Sequence, residues 1–164
     1  MARAKKTTTA KAKAPAKPAA AKPKAVAKVP DGAAQLVDAL NADYAAVCKR
    51  VHELGVADPD GRKDPNEIQT HQNSLDDLKN GQYEYGRVFS TAKAGQKHTK
   101  LQYKDGQGTT VVGFIDNKTG ELLQAADEKT PGNPAGYNLN DSNSLKACLG
   151  QADWGANFIH TPQS

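Results

Sequence analysis

Nine of the first thirty side chains are cationic: Arg3, Lys5, Lys6, Lys11, Lys13, Lys17, Lys22, Lys24 and Lys28. None is anionic. A spaced row of ammonium groups neutralises the phosphates of a polyanion and releases their counterions, which gives salt-dependent binding blind to sequence. Eight of the nine are Lys, and an ammonium acts as a point charge rather than as a bidentate reader of base edges. These nine residues are the candidate nucleic-acid-binding set. Their charge is local. The chain carries 22 basic and 18 acidic residues, of which positions 31–164 hold 13 and 18, so a segment of +9 precedes a body of −5.

The remaining reactive side chains make no comparable pattern. His52, His71, His98 and His160 are scattered, with no pair at metal-ligand spacing. His71, on an apolar helix face, reads as a partly buried, hydrogen-bonded side chain. Cys48 and Cys148 lie outside any C-x-x-C and read as small buried thiols, with a disulfide between them left open. The run Asp58-Pro59-Asp60-Gly61 starts like a calcium loop. Its Gly is fourth rather than sixth, and Gln69 stands twelfth where Glu is needed, so it reads as a turn between helices. Gly106-Gln107-Gly108 belongs to a hairpin rather than to a phosphate loop, and Asp76-Asp77 and Asp127-Glu128 are solvated pairs. No catalytic residue, cofactor or metal site is expected, and the chain reads as non-enzymatic. Tyr83, Tyr85, Phe89 and Tyr103, with Arg87 among them, admit two readings. They form a stacking platform for single-stranded nucleic acid, or they pack against helices, which the negative body favours.

The elements that must carry these residues follow from periodicity. Residues 1–30, with eleven Ala, eight Lys and four Pro, cannot bury enough apolar surface to offset ordering entropy, and a disordered tail is expected there. Asp31 caps a helix whose stripe is Val37, Leu40, Tyr44, Val47, Val51 and Leu54, with Gly55 as its stop. That stripe spans under three heptads, so packing on the body is favoured over a dimer seam. Asp64, Pro65 and Glu67 open a second helix through Ile68, His71, Leu75 and Leu78 to Gly81.

From Gln82 the period becomes two, with strands expected around Tyr83–Phe89, Thr99–Tyr103, Thr109–Ile115 and Glu121–Ala126. Residues 127–141 read as a Pro/Gly/Asn loop, Ser142–Leu149 as a short helix, and Trp154–Ile159 as an edge strand. The fold class is α+β: an N-terminal helical hairpin on an antiparallel meander of three or four strands, as one domain over 31–164 behind the tail. The expected core is Leu36, Val37, Leu40, Val47, Val51, Leu75, Leu101, Val112, Phe114, Leu123, Trp154 and Phe158. Length excludes a multidomain enzyme, two Cys exclude a disulfide scaffold, and no apolar run reaches a membrane span.

Two resemblances add to this. The tail resembles in composition the Ala/Lys/Pro tails of linker histones and bacterial histone-like proteins. Residues 99–160 resemble a set of small tailed-bacteriophage proteins. The carrying residues are Val111-Val112-Gly113-Phe114-Ile115-Asp116, Thr119-Gly120-Glu121, Gln124-Ala125-Ala126, Tyr137-Asn138-Leu139-Asn140-Asp141, Ser144, Cys148 and Ala152-Asp153-Trp154-Gly155. The chain departs from that pattern at Asp127-Glu128-Lys129, where a Ser-Trp-Lys type of run is usual, and at Gly136, where Arg is expected. The resemblance implies a viral source. Together with the tail it implies a non-specific nucleic-acid contact, DNA or RNA, in the infected cell or in the virion. The alternative is a module that binds or inhibits a host protein. Homo-oligomerisation is left open, and no membrane contact is expected.

Overall fold

A computed structural model describes residues 29–160. The nine basic candidates and residues 1–28 of the expected disordered tail, 1–30, lie outside the described residues. The last two residues of that tail belong to the fold instead, Val29 packing on the core and Pro30 buried at the start of the first helix. Helix α1 spans Asp31–Val56 and helix α2 Pro65–Asn80. Five strands follow: β1 Arg87–Ala94, β2 His98–Asp105, β3 Gly108–Asp116, β4 Glu121–Ala125 and β5 Pro131–Asn138. Helix α3, Ser142–Gln151, and a 3-10 turn at Asn157–Ile159 complete the α+β fold. The strands pair antiparallel in sequence order, β1 to β5.

Several local chemistries work as expected. The Asp64 carboxylate accepts the Asn66 amide at the start of α2, with Pro65 in the first turn, and Gly81 closes that helix at φ 70°. Asp141 caps α3 by accepting the Ser144 amide at 2.7 Å. The β2–β3 register shifts between Leu101 and Gln102, placing Val112 as an extra residue on β3.

Four expectations are corrected. Asp31 is not the cap of α1: Pro30 holds the cap position and Asp31 lies in the first turn, where its charge suits the helix dipole. Gly55 does not stop α1, which runs on to Val56, because this glycine serves close packing instead. The meander has five strands rather than three or four, because residues 131–138 of the expected loop form β5. Its Pro131 and Pro134 are tolerated at a sheet edge with an irregular register, which hides the strand's period. The C-terminal segment is a 3-10 turn rather than a strand. Phe158 and Ile159 are both buried, and adjacent strand residues would point to opposite faces.

The core lies between one sheet face and α1, α3 and the C-terminal turn. It gathers Ala33, Leu36 and Leu40 of α1, Phe89, Leu101, Ile115, Leu122, Tyr137, Cys148, Phe158 and Ile159. The Phe158 and Tyr137 rings meet edge to face at 6.0 Å. Gly113 admits the turn: a Cβ there would sit 2.9 Å from the Leu123 carbonyl and 3.4 Å from Ile159. Phe114 is fully buried on the opposite sheet face, beside Lys100 and Leu123 in register and 6.3 Å from the His98 ring.

The expected core needs amendment at six positions. Val51 and Trp154 are 53% and 39% exposed. Val37, Val47, Leu75 and Leu123 are half-buried. Leu122, not Leu123, faces the helices, because Leu122 pairs with Ile115 and Leu123 with Phe114.

Candidate functional site

The most densely connected polar region lies where α1, α2 and the segment 82–86 meet. On α1, Tyr44, Cys48 and His52 stand four residues apart and so share one face. The α1–α2 turn folds α2 back alongside and brings His71 opposite His52. Two contacts hold that turn. Asp58 accepts the Arg62 amide at 3.0 Å and the Lys63 amide at 3.3 Å. The Lys63 ammonium donates to the carbonyls of Leu54, Gly55 and Ala57 at 2.6, 3.0 and 2.6 Å, satisfying the C-terminus of α1. Gly55 lets the helices close up, since any Cβ there would overlap the His71 ring. Beyond Gly81 the chain crosses the same face of α1 before entering β1, and lays Tyr83 and Tyr85 on it.

A hydrogen-bonded chain results. His52 Nδ1 lies 3.0 Å from His71 Nδ1, and His52 Nε2 lies 3.0 Å from the Tyr83 hydroxyl. Only one of the two facing Nδ1 atoms donates at a time. When His71 supplies that hydrogen, His52 carries its own on Nε2 and donates it to Tyr83. Cys48 sits at the far end of the chain, its sulfur beside both the Tyr83 and Tyr44 phenols. Burial first, and then the Cys48 sulfur, hold both phenols above their ordinary value, while Arg87 pulls Tyr44 back. The arrangement can pass a proton along the row by tautomer exchange.

The rings continue toward the sheet edge. Tyr83 meets Tyr85 at 5.1 Å, Tyr85 meets Tyr44 at 6.4 Å, and Tyr44 meets Trp154 at 5.9 Å. The Arg87 guanidinium lies 3.9 Å over the Tyr103 ring and 5.1 Å from the Trp154 ring, and donates to the Trp154 carbonyl at 3.3 Å. Asn41 fixes α1 to β1 at this edge. Its side chain accepts the Phe89 amide at 2.8 Å and donates to the Phe89 carbonyl at 3.1 Å, as a neighbouring strand would. An open groove of about 640 Å³ runs between α1 and α2 past Lys49, Glu53, Leu75 and Tyr85. Smaller depressions of about 300 and 260 Å³ flank Tyr85 and Val88.

Tyr83 and Phe89 pack against helix α1 as the helix-packing reading expects, Tyr103 lies against Phe89 and Arg87, and Tyr85 is 40% exposed, so the four rings do not make one open platform. Phe89 is 2% exposed, Tyr83 turns its edge to His52, and Arg87 covers Tyr103. Tyr83 and Tyr85 also precede β1 instead of lying in a strand, because no ladder partner reaches them. The four histidines are not all isolated: His52 and His71 meet, a juxtaposition their 19-residue separation conceals. Cys48 and Cys148 are both buried and not bonded to each other. Burial pushes the Cys148 thiol up to about 12, which leaves it an inert packing group. Among the described residues no three His, Cys, Asp or Glu side chains are grouped to hold a metal ion, and no helix is long and apolar enough to cross a membrane.

No curated protein and no solved structure matches the chain. A family model matches residues 12–161, a range that takes in Lys13, Lys17, Lys22, Lys24 and Lys28 of the basic segment together with the whole fold described above. With that match over most of its length, the chain belongs to a family of unknown function, DUF7717.

Proposed function

We propose that this is a non-enzymatic bacteriophage protein that contacts nucleic acid non-specifically through Arg3, Lys5, Lys6, Lys11, Lys13, Lys17, Lys22, Lys24 and Lys28. It acts in the host cytoplasm or nucleoid, or in the virion. The observation that carries this reading is the charge partition: +9 in residues 1–30 against −5 in the rest. The negative body repels phosphate, so attraction is concentrated in the segment.

The test is a salt series on full-length protein and on a chain beginning at Val29. If the segment neutralises about six phosphates, the log–log slope on duplex DNA is near −5. Affinity is indifferent to base sequence, and the shortened chain loses most of it. Binding that survives removal of residues 1–28 moves the contact to the body. Mass spectrometry of purified virions at fixed copy number separates the virion role from the intracellular one.

One observation favours a second reading, a module that binds or inhibits a host protein. Tyr85 and Val88 are exposed and line one depression with Arg87, whose guanidinium also meets the exposed Trp154 ring, and Tyr, Trp and Arg are the residues that anchor protein interfaces. This reading takes the lead if the full chain fails to bind nucleic acid even at low salt.

A further inference from the structure

We propose that His52 and His71 form a binding site for a late first-row divalent cation of the zinc class, seated between α1 and α2. The two Nδ1 atoms face each other at 3.0 Å. A zinc ion bound by two imidazoles at about 2.0–2.1 Å in tetrahedral geometry holds their nitrogens roughly 3.3 Å apart. The pair thus needs to open by a few tenths of an ångström, and each ring must tilt from the head-on line set by the 5.3 Å centroid separation so that its lone pair meets the ion.

The orientation of the lone pairs is set by the neighbours. The Tyr83 hydroxyl lies 3.0 Å from His52 Nε2. When that nitrogen donates to Tyr83, the His52 lone pair is on Nδ1 and points at His71. Moving the His71 hydrogen from Nδ1 to Nε2 then leaves two facing lone pairs, which a cation can take once the rings tilt. A histidine ligand whose second nitrogen donates to an oxygen is the usual outer support of a metal site, and the Tyr83 hydroxyl stands in that place at 3.0 Å. Gly55 completes the seat, because a side chain there would displace the His71 ring. Both histidines are half-buried, so water reaches the remaining coordination positions. Two imidazoles select zinc, cobalt, nickel or copper over magnesium or calcium.

The ion would staple two helices otherwise joined by half-buried contacts, since α2 has no fully buried residue. Binding only to the folded hairpin would raise its stability by mass action.

The experiment titrates zinc chloride into the metal-free full-length protein against a chromophoric chelator and follows melting in parallel. The expected result is one zinc per chain, a raised melting temperature, and zinc-dependent shifts of the His52 and His71 imidazole resonances. His52→Gln and His71→Gln each abolish all three, with folding checked by circular dichroism. Tyr83→Phe weakens affinity about 10- to 100-fold, as loss of an outer-shell partner does. His98→Gln, His160→Gln and Cys48→Ser keep the one-to-one binding. The proposal is overturned if zinc does not bind stoichiometrically. It also fails if binding survives both histidine replacements, or if Cys48→Ser alone abolishes it. The resonance shifts in the unmodified protein decide the matter even if a histidine variant does not fold.

Discussion

Helices α1 and α2 are neighbours of opposite construction. The first half of α1 drives Ala33, Leu36 and Leu40 into the sheet's core, where each is essentially solvent-free. Helix α2 has no buried residue and rests on the second half of α1 through half-buried Ile68, Leu75 and Leu78 and the His52–His71 contact. Apolar transfer, roughly 25 cal/mol per Å² and indifferent to direction, secures the first. Directional polar contacts position the second, and each contributes only about 0.5–1.5 kcal/mol. The same chain thus contains a region that tolerates polar change but not loss of volume, and a region with the reverse sensitivity.

The largest effect expected from this contrast is in the sheet. Phe114→Ala empties a fully enclosed position on the central strand, and chemical denaturation should register a loss of about 3–5 kcal/mol. Hydrogen exchange should rise in all five strands together. Protection lost in α2 alone would reverse the comparison.

Next is Gly55→Ala, which probes the hairpin. In an ordinary helix interior Ala is better than Gly by about 1 kcal/mol. Here the new methyl overlaps the His71 ring, which must leave its contact with His52. The net expectation is a destabilisation of about 1–3 kcal/mol, typical of overpacking. It should appear as faster hydrogen exchange confined to α2, with the sheet unchanged. A stabilised protein would mean that His71 moves aside without cost.

Acid sharpens the comparison on the sheet side. Asp116 is held below its ordinary value chiefly by the Thr119 amide, with the Lys118 amide and His98 adding to it. Its carboxylate accepts those amides at 3.0 and 2.8 Å in the β3–β4 turn. In the unfolded chain the group takes up a proton near pH 4. Below that the unfolded state binds more protons than the folded one, so the stabilisation is complete above about pH 4 and is lost as pH falls through the depressed folded value. Asp116→Asn should therefore cost most at neutral pH, where that stabilisation is complete, and the two stability profiles should converge as pH falls through the acid window. Asp127 makes the same kind of turn with Lys129 and Thr130, but it is fully exposed, so Asp127→Asn should change the acid slope less.

These contrasts also show what could be seen in the residues alone. The α2 boundaries were legible because Asp64-Pro65 and Gly81 each act within a few residues. Strands β2 and β3 were legible for the same local reason: Leu101 and Tyr103 alternate with polar residues up to the turn at Asp105-Gly106. Strand β5 was not, because an edge strand with two prolines and Gly136 at φ 85° has neither the composition nor the period of a central one. The packing of Tyr83 and Phe89 against α1 was foreseen as one of two readings. The His52–His71 pair was hidden, because it depends on a glycine inside a helix and on where the hairpin folds back, and neither leaves a spacing signal.

The smallest effect, and the one that most sharpens the comparison, is expected at Trp154. By composition it ranks with Phe114, since both are large aromatic residues in an apolar context. The structure separates them. Trp154 is anchored by its backbone: its amide donates to Asp43 at 2.9 Å and its carbonyl accepts from Arg87 at 3.3 Å. Alanine keeps both groups. What it removes is a ring 39% exposed, with Arg87 at 5.1 Å and Tyr44 at 5.9 Å. A cation–π contact near the surface contributes about 0.5–1 kcal/mol, and the partly exposed ring forfeits only part of its transfer energy. Trp154→Ala should therefore cost roughly 1–2 kcal/mol, well under half the loss at Phe114. Measured side by side in urea, the two variants should share one slope and differ in midpoint. If Trp154→Ala unfolds as early as Phe114→Ala, the Tyr44–Arg87–Trp154 cluster is a second core rather than a surface, and the division between an apolar sheet layer and a polar hairpin fails at this seam.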